Sequence, residues 1–182
     1  LAENGYRIDL NRRKVVDLLL KTQKGKTDSG FFPYLEAYLS SESFSNSDEF
    51  LEALVKNRGK DKSIGRTLIG PHKSDLIVRH SAKNIEAKYC STGEQKSLLL
   101  SFFIANALAI SSQFDQSPII LLDEILAHLD QNNLENLFYE LELIKAQIFA
   151  TGTEKNSFQN WNLNSQSFDL RLTDEGIRCF PS

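Results

Sequence analysis

The chain has 182 residues, with 21 Lys and Arg against 24 Asp and Glu, a formal net charge of −3 and a pI near 5.7. That balance excludes a polybasic nucleic-acid arm. Hydrophobic residues make up 41% and charged residues 25%, proportions that can bury a core and that predict one domain with an appendage. Two cysteines, Cys90 and Cys179, cannot build a disulfide framework, and neither sits in a Cys/His cluster of metal-ligand spacing. A reducing, cytoplasmic compartment is expected.

From the N-terminus, Arg12 to Lys21 is amphipathic, with Val15, Val16, Leu18, Leu19 and Leu20 on its apolar side, and predicts a helix. Residues 31 to 39 suit a short strand, 40 to 47 a polar loop, and Asp48 to Asn57 a second helix capped by Ser47. Thr67 to Ile69 and Asp75 to His80 are expected to be extended, with a turn at Ser81 to Asn84. The apolar stretch from Leu98 to Ile110 is interrupted by Ser101 and Asn106 and is shorter than the roughly 20 residues a membrane span requires, so it predicts a buried helix and no membrane. No signal-peptide pattern opens the chain. There is no methionine, and a chain starting at Leu1 is expected to be a piece of something longer.

After Pro118, Ile119-Ile120-Leu121-Leu122 is an uninterrupted β-favouring run that predicts a strand buried on both faces. Glu135 to Ile144 has helical periodicity, and Gln147 to Thr151 predicts another buried strand. Strand, helix, strand in this order predicts a parallel α/β sheet. Phe168 to Thr173 and Ile177 to Phe180 predict a closing hairpin around Asp174-Glu175-Gly176.

The strand 119–122 ends in Asp123-Glu124 and so has Walker B form. An aspartate at the carboxyl end of such a strand can hold a Mg²⁺ water shell, and the neighbouring glutamate can polarise an attacking water. Asp130, six residues beyond Glu124, reads by itself as a helix N-cap. Ser91-Thr92-Gly93-Glu94-Gln95 opens the apolar helix with a hydroxyl and unpaired backbone N–H groups, an arrangement that suits an anion. The same pentapeptide also reads as a plain capping box, Ser91 capping and Glu94 reaching back.

Order and spacing add to these local readings. Arg66-Thr67-Leu68-Ile69-Gly70-Pro71-His72-Lys73-Ser74-Asp75-Leu76 resembles the block usually written TLxGPHRxDL in the RecF family of SMC-like, ABC-type DNA-repair ATPases. With Cys90 to Lys96, Pro118 to Asp130 and Thr151-Gly152-Thr153, the resemblance covers residues 66 to 153 with specific motifs, and residues 1 to 65 more loosely. It implies an α/β fold: residues 66–182 as the C-terminal lobe of an ABC/SMC-type P-loop ATPase head, residues 1–65 as a partial helical lid subdomain. It also implies that ATP lies between two heads of a homodimer. By position, Asp123 is then the Mg²⁺ residue and Glu124 the general base. Ser91, Gly93 and Glu94 belong to the signature that meets the partner's γ-phosphate, Asp130 is the D-loop residue crossing the interface, and Thr153 joins the nucleotide-binding set. The family clamps gapped or junction DNA without reading sequence, and directs RecR and RecO to load recombinase.

Departures from the family pattern bear on these implications. The Walker A loop does not occur in this sequence; the family carries it near the N-terminus, so the chain alone is not expected to hydrolyse ATP. Lys73 stands where the block has arginine and Thr92 where many heads have glycine. Gly152 takes the place of the switch histidine, which leaves Thr151 or Thr153 to sense the γ-phosphate. Arg12, Arg13, Lys14, Lys21, Lys24 and Lys26, with Lys56, Arg58, Lys60 and Lys62, offer a lid surface for phosphate backbones, although interleaved acids also suit a solvated helix face. Another SMC-like or Rad50-like head is a rival reading, opposed by the GPH block and by the lack of long heptads. A non-catalytic scaffold of the same fold is the second.

Overall fold

A computed structural model describes residues 1–23, 32–124, 129–153, 158, 161, 165–173 and 176–181. The chain divides into two compact units, Leu1–Ser117 and Pro118–Ser182. Positions 65 and 66 both lie within the first unit, in which strand Leu35–Leu39 pairs with strand Leu76–His80.

In the first unit, α1 (Ala2–Gln23) is followed by β1 (Leu35–Leu39) and α2 (Ser47–Ile64). A 3₁₀ turn at Pro71–Lys73 leads to β2 (Leu76–His80) and β3 (Ile85–Glu86). A second 3₁₀ turn at Ala87–Tyr89 precedes α3 (Thr92–Phe114). The strands form an antiparallel sheet in the order β1-β2-β3, with Leu35 opposite His80 and Ala37 opposite Val78. Leu35 and Ala37 point inward while Glu36 and Tyr38 are exposed, the alternation expected of a half-buried strand.

Helix α3 supplies the core of this unit. Leu98, Ser101, Ala105 and Ala109 recur at helical spacing and are all buried. The small side chains of Ala105 and Ala109 admit Leu19 of α1, while Leu98 packs with Leu35 and Cys90. Each fully buried leucine contributes about 1.5–3 kcal/mol relative to exposure. Ser101 Oγ in this core lies 2.8 Å from the Pro33 carbonyl and 2.9 Å from that of Ser97, and Gln23 Oε1 accepts from the Leu35 N–H, while the Gln23 amide nitrogen is buried without a partner among the described residues. By length and composition α3 is long and apolar enough to cross a membrane. Its buried stripe, however, faces α1 and the sheet.

The helix α2 is longer than the expected Asp48–Asn57, and its cap is Asn46 rather than Ser47. Asn46 is extended and its Oδ1 accepts from the N–H groups of Asp48 and Glu49 at 3.0 and 2.9 Å. Asn46→Ala is therefore expected to lower stability by about 1 kcal/mol, read by denaturant midpoint, and Ser47→Ala to leave it near wild type. Thr67 to Ile69 forms no ladder; the Leu68 N–H goes instead to Asp61 of α2.

The GPH block is built into the packing. Gly70 has φ 135, where a side chain is strained. His72 Nε2 lies 2.9 Å from the Thr67 carbonyl, and the Arg12 guanidinium donates to the Pro71 carbonyl and to Ser74 Oγ, both at 2.6 Å. Arg13 is likewise engaged, with Asp9 at 2.7 Å and with Ser41. Two members of the expected basic surface are thus spent inside the unit. Lys24 and Lys26 lie outside the described residues.

In the second unit, β4 (Ile119–Leu122), α4 (Gln131–Ile144) and β5 (Gln147–Ala150) form the predicted strand-helix-strand, with β4 and β5 parallel and Leu122 opposite Ala150. Leu134, Leu137, Leu141 and Ile144 make the buried stripe of α4. Phe138 stacks on Trp161 with ring centres 4.4 Å apart. The expectation that β4 is buried on both faces is not met: Ile120 and Leu122 are buried, while Ile119 and Leu121 are 66% and 70% exposed. Among the described residues the sheet has two strands, and its side chains Ile119, Leu121 and Phe149 are exposed. The hairpin of β6 (Phe168–Thr173) and β7 (Gly176–Pro181) is antiparallel, with Thr173 opposite Gly176.

Candidate functional site

Each unit carries one candidate site of its own. In the second unit the parallel pairing of β4 and β5 brings their carboxyl ends level, so the residues that follow them become neighbours. Asp123 and Glu124 follow β4; Thr151 follows β5. The Thr151 N–H donates to the Leu122 carbonyl at 2.9 Å and prolongs the ladder by one bond. Its hydroxyl then donates to Asp123 Oδ1 at 2.5 Å and accepts from the Glu124 N–H at 3.2 Å. Glu124 lies in the left-handed region at φ 52, a backbone conformation that ends the extended run of β4. Both acids are exposed.

Thr151 is thus the threonine that meets the acid pair, while Thr153 is exposed two residues further on. Asp130 caps α4, its carboxylate accepting from the Asn133 N–H and side-chain amide, both at 2.8 Å. His128 lies outside the described residues.

In the first unit, Ser91 is the N-cap of α3 and Glu94 completes a capping box. One Glu94 oxygen, Oε2, accepts from the Ser91 N–H at 2.8 Å and from its hydroxyl at 2.9 Å. The other, Oε1, pairs with Lys83 on the turn between β2 and β3. Cys90, just before the cap, is buried as expected of a leading apolar position. Gln95 Nε2 donates to the carbonyls of Ala87 and Cys90 and ties the preceding 3₁₀ turn to the helix. A side chain at Gly93 would meet nothing within 4 Å, so the space beside Gly93 is open. The N–H groups of Thr92 and Gly93 have no carbonyl within the helix to receive them.

The local charges follow from this geometry. The Lys83 ammonium, aided by the Ser91 N–H and hydroxyl, pulls the Glu94 carboxyl from its ordinary 4.5 to about 2. The Glu94 carboxylate in turn raises Lys83 above its ordinary 10.5. Because the Glu94 value is depressed on folding, its contribution to the elbow is present above pH 4.5 and is lost as the pH falls through about 2. Because that of Lys83 is raised, its contribution is complete below pH 10.5 and fades as the pH rises through the folded value. The carboxyl carbon signal of Glu94 is expected to titrate near pH 2; titration near pH 4.5 shows that the pair does not form in solution.

Spacing therefore located Ser91, Gly93, Glu94, Asp123, Glu124 and Asp130 at helix and strand ends. Two further residues, Thr151 in contact with the acids and Lys83 in contact with the elbow, complete the two groups. The register of β4 against β5 is the signal that selects Thr151 over Thr153. No spacing rule points to Lys83, which reaches Glu94 from a hairpin turn.

The donor set at the strand ends fits a hard divalent cation. It offers an exposed carboxylate and a hydroxyl, all oxygen, at a site open to a phosphate ligand. Among the described residues no group of three or more His, Cys, Asp or Glu could hold a metal by itself.

No family model matches the chain. Curated relatives do. A DNA replication and repair protein RecF from Mesorhizobium japonicum is 41% identical over 169 residues, covering 88% of this chain and 45% of the relative. RecF of Rhizobium etli is 37% identical over 178 residues, 93% of this chain and 48% of the relative. RecF of Allorhizobium ampelinum is 36% identical over 166 residues, 87% and 44%. The chain thus spans under half the length of these relatives. Among solved structures, the recombination mediator protein RecF with ATP, of the RecFOR pathway, superposes with a TM-score of 0.74 at 18% identity, over 99% of this chain and 49% of that one. A second RecF structure, described as RecF-ATPrS, gives 0.72 at 20% identity. At such identity the superposition establishes the fold, which is the α/β head lobe expected above. Over about nine tenths of its length the chain is thus similar to RecF proteins of DNA replication and repair, and it matches a C-terminal portion of them.

Proposed function

We propose that this chain is the C-terminal lobe of an ATP-dependent, DNA-binding clamp that acts in recombination and repair from the cytoplasm. The observation that carries the reading is the hydrogen-bonded group at the ends of two parallel strands, Asp123, Glu124 and Thr151, in a chain whose relatives are RecF proteins. The ATP named with the RecF structure supports nucleotide binding here.

In this reading Asp123 holds Mg²⁺ through its water shell, and the ion when bound neutralises charge on the nucleotide phosphates. Glu124, exposed beyond the end of β4, takes a proton from the water that attacks the γ-phosphate. Ser91 and the N–H groups near Gly93 meet a γ-phosphate carried by the opposite head, so that ATP joins two copies. Asp130, at the mouth of α4, lies across that interface, and Thr153 flanks the nucleotide. The dimer engages gapped or junction DNA through the phosphate backbone, and RecR and RecO are its partners in the pathway. The Walker A pattern is not in this sequence, so turnover requires a half that supplies it.

The test is sedimentation of a complete protein, this chain together with a Walker A half, with and without ATP and Mg²⁺. A dimer that appears only with nucleotide, and that Ser91→Ala weakens, is expected. A monomer under both conditions removes the two-headed reading.

A further inference from the structure

We propose that Lys83 is a positioning residue for the Ser91 elbow: it holds and neutralises the Glu94 carboxylate, which fixes where the Ser91 hydroxyl points and keeps the elbow open to a nucleotide phosphate. The inference rests on the reading that Ser91 meets a phosphate.

Geometry supports the holding. Glu94 is a bridge, with Oε1 on Lys83 and Oε2 on both the N–H and the hydroxyl of Ser91. Lys83 stands on a braced support. In the β2–β3 turn the Asn84 N–H donates to the His80 carbonyl at 2.8 Å, Asn84 is left-handed at φ 52, and Arg79 donates to the Asn84 carbonyl at 3.0 Å. Without the ammonium, the carboxylate is free to turn about its last torsions, and the hydroxyl it orients turns with it.

Electrostatics supports the neutralising. A bare carboxylate 2.9 Å from Ser91 Oγ opposes the approach of a triphosphate, since like charges a few ångströms apart repel. Paired with Lys83, the carboxylate adds no net charge to the elbow, and the N–H groups near Gly93 keep their attraction for an anion. An exposed ion pair of this kind adds little to stability; its effect is on direction and charge at one hydroxyl.

The experiment combines turnover in a complete protein with titration of this chain. Lys83→Ala is expected to lower kcat about tenfold with KM for ATP unchanged. That loss is smaller than the roughly hundredfold expected of a lost phosphate donor. Lys83→Arg should retain turnover. Lys83→Ala combined with Glu94→Gln should recover most of it, because glutamine still accepts from Ser91 without the charge. In the 182-residue chain, the Glu94 carboxyl should titrate at a clearly higher pH once Lys83 is alanine, while the Ser91 N–H and hydroxyl still hold it below its ordinary 4.5. If Ser91→Ala lowers turnover but Lys83→Ala changes kcat by less than twofold, the positioning role is wrong and the elbow reading stands. If Ser91→Ala itself changes nothing, the elbow reading fails and takes this inference with it. A Glu94 titration that ignores the substitution also overturns the proposal.

Discussion

Glu124→Gln is expected to cut ATP turnover in a complete protein by at least about hundredfold while leaving ATP binding intact. Removal of a general base costs 10²- to 10⁴-fold, about 3–5 kcal/mol of barrier. Glutamine has the size and hydrogen-bonding shape of glutamate but cannot take the proton of the attacking water at neutral pH. The substitution is also clean structurally. The bond that fixes this residue in place runs from its backbone N–H to Thr151, and the side chain is exposed, so folding does not depend on the carboxylate. Phosphate release and equilibrium nucleotide binding, measured side by side, separate the two effects. Turnover at the wild-type rate removes the general-base assignment and favours a lobe that keeps the fold without the chemistry. Loss of binding together with turnover points instead to a charge role in holding Mg²⁺, which is assigned here to Asp123.

Much of this arrangement is legible in the sequence because it depends on local patterns. The stripe Leu98, Ser101, Ala105, Ala109 specifies one face of a helix whatever surrounds it, and the run Ile119 to Leu122 specifies a strand. The serine-to-glutamate spacing at 91 and 94 specifies a capping box, which is the arrangement found. A complete box does not decide between structural capping and anion binding, since Glu94 serves the first while the open space over Gly93 suits the second.

What is not legible depends on partners distant in sequence. An apolar run declares that both faces of β4 suit burial, but not that anything covers Ile119 and Leu121. The cap of α2 falls on Asn46 because its oxygen reaches two N–H groups, a matter of one residue of phase that Ser and Asn next to each other leave open. Thr151 and Thr153 are indistinguishable until the parallel register sets Leu122 beside Ala150 and so Thr151 beside the acids. Lys83 needs a hairpin turn to be carried to the end of a helix that begins nine residues later in the chain.

The register also gives the second large effect its form. Thr151→Val is expected to lower turnover in a complete protein by about 10- to 100-fold, the usual cost of losing a group that orients a metal-binding side chain, while Thr151→Ser stays close to wild type. Valine has the shape of threonine without the hydroxyl, so the β5 end and the 2.9 Å bond from the backbone N–H to Leu122 are retained. What disappears is the donor to Asp123 and the acceptor for the Glu124 N–H. Both partners are exposed and can turn to water, so losing the two hydrogen bonds together should cost no more than about 0.5–1.5 kcal/mol, and thermal melts should move little. The concentration of Mg²⁺ that gives half-maximal turnover should rise, because Asp123 is no longer held in one orientation. Thr153→Val, two residues away from that contact, is the control and should raise neither quantity by a comparable amount. Equal effects at 151 and 153 mean that the threonines act through the phosphate and not through Asp123; an unchanged Mg²⁺ requirement in Thr151→Val removes the orienting role altogether.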